Sequence, residues 1–583
     1  MVQLETPAQE SLEAPRIRED ERVQVAASAA LLVLAGTIAV VLRFTSLGAT
    51  PLLPAEAEQA LAVWQFLQPA QAAVDVGSPA YFALTTLLAA FVGVSDATVR
   101  AVPALFGVAL VLLPGLLTRQ IGAMGAAAAA LLLAVSPLNT TIARTVGGDS
   151  IALFAVLLGV VAILRLSEEP DARWLTVLGG AVALGLTSSP LFYSGLLVTW
   201  GGWLLQRLAR SGSVEFVHRP TRREWGQALL TGTIVLVLLS TRFLTFPEGL
   251  AGTATLPGQW LAQFNVGGGL ESLLNPFLAI GRYEVILIAL GLVAVLWAVW
   301  RNHLTGTLFV YALLAGLFLL LLQQGVLANA LLVVLPAYLL LGLLTTYLLR
   351  GGIDPSTWLM VGFLILCGAV FLVNITRFLR VGSDQQWLYL WIALLAVLVA
   401  AVVLYLLPTA GGVATSLWLS MLAVLLFYQW GTTWYLTQVA ANDPRERWVE
   451  TATDDDVRLL VNTLRGVSWQ ATNSFGGLEI VAAVDTPALR WYLRDFRNAQ
   501  FGSTLPAGAN QAAIITPAAV TEPALGSDYL GTDFGLLRPE PEPIVSATPL
   551  LDTLRWWFFH ESSVPLTDER VILWVRADLV QRQ

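Results

Sequence analysis

The chain contains no lysine and a single cysteine. Every fixed positive charge is therefore an arginine. Cys367 lies inside an apolar stretch, so neither an intramolecular disulfide nor a cysteine-based zinc site is available. Charge of either sign is scarce, at 12% of residues against roughly 25% in a soluble domain. The net charge of −8 says little about partners, because most of the acid sits in the C-terminal tail and the ends, and nothing marks a nucleic-acid binder. No P-loop and no glycine-rich dinucleotide turn is present.

What the chain does have is apolar runs. Fourteen of them lie near 24–43, 79–93, 101–118, 121–136, 150–166, 173–187, 190–206, 225–241, 283–300, 304–322, 327–348, 357–374, 388–406 and 413–430. Runs of this kind leave water only as helices that satisfy their own backbone hydrogen bonds, so the chain reads as a polytopic α-helical membrane protein. Arg16, Arg18 and Arg22 precede the first run, which shows no small-residue cleavage site and reads as a retained anchor.

Charge sets the expected topology. With a cytoplasmic N-terminus and fourteen spans, the linker 207–224 would face outward. It carries Arg207, Arg210, Arg219, Arg222 and Arg223, and the positive-inside rule opposes that placement. The run 79–93 opens with Gly77-Ser78-Pro79 and covers only about 22 Å at ~1.5 Å per residue, short of a ~30 Å core. Removing it as a membrane-surface helix leaves about 13 spans. The expected organisation is a cytoplasmic segment 1–22, a transmembrane domain 23–430 and an extracytoplasmic α/β domain 431–583. Loops 44–100, 137–149 and 242–282 then face outward with that domain, in a multi-pass protein of the cell membrane.

The first outer loop holds PLLPAEAEQALAVWQFL at 51–67, an amphipathic pattern with Glu56 and Glu58 near its start. The helix dipole favours carboxylates there, and two acids at i, i+2 cannot share a face. This loop, then SPAYFALTTLLAAFVGVSDATVRAVPALFGVALVLLPGLLTRQIG at 78–122 and LAVSPLNTTIARTVGGDS at 133–150, resembles the membrane glycosyltransferases of the GT-C superfold. The family 39, protein-mannosyltransferase-like branch is the nearest match. Segments 242–264, 276–291, 486–501 and 571–579 resemble a bacterial and archaeal GT-C-like group known as flippase-activity-associated proteins.

That resemblance implies a GT-C fold, a polyprenyl-phosphate-linked sugar as donor, and an extracytoplasmic glycan, lipid or protein as acceptor in the cell envelope. It also implies an acidic pair after the first span, an Arg-x-x-Pro motif and an arginine followed by an acid in the second outer loop. The matching positions are Ala55-Glu56, Arg100 to Pro103, and Arg144 with Asp149. Ala55 stands where the family carries its catalytic aspartate. Glu56 is then the candidate base, with Glu58 second, since a carboxylate that takes the acceptor proton contributes ~10²–10⁴-fold. Arg144 is the first candidate for the lipid phosphate, because guanidinium binds phosphate oxygens in a fork. Arg100, Arg242 and Arg282 are further candidates, the last two also fitting interfacial snorkelling. Asp149 could orient Arg144, cap the next helix or help hold a divalent cation; no other cofactor is implied.

Two readings stay open, a transferase and a non-catalytic relative that binds lipid-linked glycan or assists its flipping. A transporter is disfavoured, since no inverted repeat and no paired mid-span charge is visible. In the tail, Thr453-Asp454-Asp455-Asp456 predicts a capped helix, 478–484 and 512–518 predict strands, Asp485 and Pro487 open a helix, and 550–560 is another. His560 is expected to be structural.

Overall fold

The computed structural model describes residues 19–68, 76–168, 171–209, 220–265, 267–350, 354–380, 386–406, 412–506, 508–541, 549–562 and 564–580. The segment 1–18, and with it Arg16 and Arg18, lies outside the described residues, as do Arg210 and Arg219. All fourteen apolar runs are helical. Proline opens many of the helices, at Pro54, Pro79, Pro137, Pro190, Pro355 and Pro487, where its missing N–H costs nothing and its fixed φ suits the first turn.

Among the described residues eight helices are long and apolar enough to cross a membrane, and ten if each of two bent pairs is one span. This is fewer than thirteen: Arg173–Leu186 is too short, Pro190–Ala209 and Arg222–Ser240 are not among the helices apolar enough to cross, and two further runs count only as halves of bent pairs. The helices Pro79–Val92 and Arg173–Leu186 have 14 residues each, about 21 Å at ~1.5 Å rise. The runs near 121–136 and 283–300 belong to broken helices, bent by 59° between Ala123–Val135 and Pro137–Arg144 and by 94° between Gly269–Tyr283 and Val285–Trp300. The loop 242–282 is largely helical, as Gly249–Ala262 and Gly269–Tyr283.

One carboxylate holds both breaks. Glu284, fully buried at the second bend, accepts from the Ser136 hydroxyl (2.6 Å) and the Leu138 N–H (3.2 Å) at the first. It also accepts from the Gln429 amide (2.8 Å) and the Tyr338 hydroxyl. Helices Leu331–Leu349 and Val413–Gln438 are thereby tied to the two bends, and the former is buried along almost its whole length.

The C-terminal domain is one six-stranded mixed sheet. Its strands are β1 (Thr451–Thr453), β2 (Glu479–Ala482), β3 (Asn498–Phe501), β4 (Ala513–Pro517), β5 (Tyr529–Pro539) and β6 (Glu569–Arg576), in the order β1-β5-β6-β4-β2-β3. Strand β2 runs parallel to β3 and β4, and the other pairs are antiparallel. The expected strands at 478–484 and 512–518 are β2 and β4. The helix Asp456–Thr472 forms without the expected capping box: Asp456 is its first residue, and the Thr453 hydroxyl donates instead to Leu52 O (2.6 Å). The apolar face of this domain continues into the helices Pro54–Phe66, Pro79–Val92 and Asp96–Leu112, so one cluster joins Leu460, Trp491 and Ile515 to Ala60, Tyr81 and Val99.

Close helix crossings rest on glycine. Helices Ala123–Val135 and Leu331–Leu349 meet at Gly125 and Gly342, where a Cβ on either would collide with the carbonyl oxygen of the other. Gly342→Val should cost ~1–3 kcal/mol through overpacking and lower the unfolding temperature of the detergent-solubilised protein. Gly362→Ala meets no atom within 4 Å and should leave that temperature unchanged or slightly raised.

Candidate functional site

Helix Pro54–Phe66 begins at the end of the segment that follows the first span, and Glu56 is its third residue. The Glu56 carboxylate reaches back to the Leu53 N–H (3.0 Å), the capping position expected of an acid in the first turn. It is buried, at 3% exposure, and receives more than the cap. Arg100 grips it with Nε (3.0 Å) and Nη2 (2.5 Å), and the Val146 N–H adds a fourth donor at 2.8 Å. Both carboxylate oxygens are thus doubly occupied. Glu58, two residues on, is exposed, as is Ala55.

Arg100 does more than pair. Its Nη1 donates to Leu47 O and Thr50 O, and its Nη2 to Pro51 O. Arg144, the last residue of its helix, spends Nη1 on Leu42 O, Arg43 O and Thr45 O at 2.8–3.1 Å. Its Nη2 makes only the longer contacts to Ser46 O (3.4 Å) and Thr437 O (3.3 Å). These carbonyls close the first span, where the helix dipole favours a cation. Arg43, fully buried and not singled out in the sequence, donates to Leu133 O and Ala134 O at 3.2 Å.

Glu56, Arg100 and Arg144 line one cavity of about 40 Å³ with Thr50, Thr141 and Trp448. Two arginines, Arg100 and Arg144, thus share this cavity with one carboxylate, and Arg144 is bound by carbonyls alone. The site carries an excess of fixed positive charge.

The other candidates lie apart. Asp149 starts its helix beside Ser189, and the Arg144 donors go to carbonyls rather than to it. Among the described residues no three acidic, histidine or cysteine side chains come together in a way that could hold a metal ion. Arg242 donates to the Thr86 hydroxyl (2.8 Å) and lies 4.3 Å over the Phe66 ring.

Arg282 is buried in a second polar cluster. Its Nη2 meets both Glu446 oxygens (2.8 and 2.9 Å), and its guanidinium stacks 3.6 Å over Trp556. Tyr283 donates to Glu446 at 2.8 Å, and His560 Nδ1 lies 2.9 Å from the same carboxylate. His560 ends the helix Leu550–Phe559 in a left-handed conformation, the structural role expected of it. Glu446 was not legible as a partner, being one acid among several in a polar linker.

An apolar cavity of about 480 Å³ lies elsewhere again. It sits between helices Asp149–Glu168, Pro190–Ala209, Leu304–Leu322 and Leu331–Leu349, with Trp200, Trp203 and Phe309 in its walls. No charged residue lines it, so it can accept hydrocarbon but supplies no acid–base group.

Burial raises the Glu446 carboxyl, but Arg282, His560 and Tyr283 outweigh this and hold it below its ordinary value near 4.5. A depressed carboxylate contributes stability that is complete above the ordinary value and is lost as pH falls through the folded one. Thermal unfolding between pH 7 and pH 3 should therefore show a drop below about 4.5 that Glu446→Gln lacks.

Residues 76–206 match the family described as dolichyl-phosphate-mannose-protein mannosyltransferase. That segment includes Arg100, Arg144 and Asp149. No curated protein sequence matches the chain. Among solved structures, ArnT from Cupriavidus metallidurans bound to undecaprenyl phosphate is similar over 94% of this chain and 99% of its own, at 15% identity and a TM-score of 0.54. The apo state of the same protein gives 14% identity over 95% and 99%, with a TM-score of 0.53. The oligosaccharyltransferase AglB from Archaeoglobus fulgidus is more distant, at 13% identity over 90% and 75% and a TM-score of 0.41. Over nearly its whole length the chain therefore has the ArnT-like GT-C fold, as a polytopic membrane protein carrying a small C-terminal sheet domain.

Proposed function

We propose that this protein binds a polyprenyl-phosphate-linked sugar at the outer face of the cell membrane and transfers the sugar to an extracytoplasmic acceptor. The observation that carries the reading is the convergence of Glu56, Arg100 and Arg144 on one cavity with surplus positive charge. A lipid phosphate is the anion such a site lacks. Arg144 is its ligand, through the Nη2 edge whose present contacts are long. ArnT, which shares the fold, is bound to undecaprenyl phosphate in its own structure. At about 40 Å³ the cavity has room for a water or two, so the head group enters by displacing the linker that carries Trp448. The apolar cavity deeper in the helices offers a dry wall to the prenyl chain.

In this reading Arg144 stabilises the charge that develops on the leaving phosphate, and Arg100 holds Glu56 at the cavity wall. For Glu56 to accept the acceptor proton, one of its four donors must give way, and Val146 and Leu53 are the neutral ones. The saturation of Glu56, together with Ala55 at the family's aspartate position, favours a second reading in which the lipid-linked sugar is bound without being transferred.

The sidedness is part of the proposal: an N-terminus in the cytoplasm and the sheet domain outside. In a Cys367→Ser background, a cysteine placed at exposed Gly466 should react with impermeant maleimide on intact cells, and labelling only after lysis would reverse the scheme.

For the chemistry, purified protein is incubated with radiolabelled polyprenyl-phosphate sugars, with unfolding temperature followed in parallel. Arg144→Gln should weaken retention of the phosphorylated lipid about tenfold, as expected for loss of a charged hydrogen bond. Glu56→Gln should lower lipid consumption by ~10²–10⁴-fold if it is the base. Equal consumption in Glu56→Gln and wild type removes Glu56 from catalysis. Retention of neutral polyprenol equal to that of the phosphate overturns the binding site itself.

A further inference from the structure

A second polar groove, of about 530 Å³, opens on the same face as the sheet domain. It runs between the last turn of helix Pro54–Phe66 and the segment following helix Pro487–Tyr492. Trp64, Gln65 and Gln68 form one wall, and Arg490, Arg494 and Arg497 the other. Its size is that of a ligand site, and its polar lining is unlike that of the apolar cavity between the helices.

Three arginines and one acid, Asp495, line it, a net of +2 in a chain whose total is −8. The acid is already engaged, by Arg465 at 2.8 Å from outside the groove. Arg490 is engaged too, with Asp485 at 2.5 Å and over the Phe501 ring at 5.3 Å. Arg494 and Arg497 have no carboxylate within ion-pair distance among the described residues. Arg494 is nonetheless held in place, its Nη1 donating to Trp491 O (2.7 Å) and its guanidinium 4.0 Å over the Trp491 ring. An oriented guanidinium beside a second, exposed one is a receptor for planar or tetrahedral oxyanions.

We propose that this groove binds an acidic oligosaccharide, a sugar chain bearing carboxylate or phosphate groups, as the acceptor strand. The arginine wall takes the anionic substituents. Opposite it, the amides of Gln65 and Gln68 each offer donors and an acceptor, the pattern that sugar hydroxyls require. The indole of Trp64 offers a flat apolar face to the C–H side of a pyranose ring. Glu56 and Gln65 lie on one helix, nine residues or about 13 Å apart, so a chain seated in the groove extends toward the Glu56 cavity. The acceptor role rests on the transfer reading above; the binding itself does not.

The test uses the full-length chain in detergent, without any lipid-linked donor, and isothermal calorimetry. The probes are tetragalacturonate, maltotetraose as its neutral counterpart, and phosphatidylglycerol bicelles. Tetragalacturonate should bind, maltotetraose should bind at least tenfold more weakly, and added salt should weaken the acidic probe. Arg497→Glu, at an exposed position, should weaken tetragalacturonate about tenfold with an unchanged unfolding temperature. Arg494→Gln and Gln65→Ala should each weaken it further. Equal binding of the neutral and acidic probes, or wild-type affinity in Arg497→Glu and Gln65→Ala, overturns the proposal. So does displacement of tetragalacturonate by phosphatidylglycerol, which would make the groove a lipid head-group site. Absence of sugar transfer from the radiolabelled polyprenyl-phosphate donors, in protein that still binds tetragalacturonate, counts against the transferase reading alone.

Discussion

The structure depends on how one stretch of backbone, from Leu42 to Leu52, is held. Phe44 aside, every carbonyl in it accepts from a side chain. Arg144 takes those of Leu42, Arg43, Thr45 and Ser46. Arg100 takes Leu47, Thr50 and Pro51, Arg458 takes Gly48 and Ala49, and Thr453 takes Leu52. A helix that ends and turns at a membrane surface leaves carbonyls without intrahelical partners, and burying them unpaired is costly. Three guanidinium groups answer that requirement from three distant parts of the chain, and in doing so set where Glu56 begins its helix.

The same stretch is the seat of the C-terminal domain. Arg458 continues from the carbonyls to Asp96 (2.7 Å), which also accepts from Trp491 Nε1 (2.8 Å) and the Tyr492 hydroxyl (2.9 Å). Tyr492 in turn receives the Leu52 N–H. The domain therefore reads the first loop directly, and the groove between Trp64 and Arg494 is a consequence of that docking. Absence of lysine suits this design: an ammonium offers three donors on a point charge, whereas guanidinium offers five in a fixed fork that can span several carbonyls.

Buried carboxylates serve as knots, each in a different way. Glu56 is balanced by Arg100 and two amides, and Glu446 by Arg282, Tyr283 and His560. Glu284 has hydroxyl and amide donors and joins two broken helices. Each joins segments far apart in sequence. A buried ion pair contributes little net stability but is costly to break, so such groups favour one arrangement of the helices over others.

Much of this was open to reading in the residues. Apolar length marked every membrane helix run, because a backbone in lipid has no option but to bond to itself. The run after Gly77-Ser78-Pro79 was set apart by the arginines of linker 207–224 together with its short length, which the run 173–187 shares, and Glu56 and Arg144 by the family resemblance of the segments that hold them. What the sequence left undecided was partnership: that Arg100 would take Glu56, that Arg282 would be turned inward to Glu446, that Arg43 would be buried on carbonyls, and that the runs near 121–136 and 283–300 would bend at Ser136 and Glu284. Those outcomes depend on which helices pack side by side. An arginine spends its charge on whichever acceptor the tertiary fold brings within about 3 Å, and no periodicity along the chain records that distance.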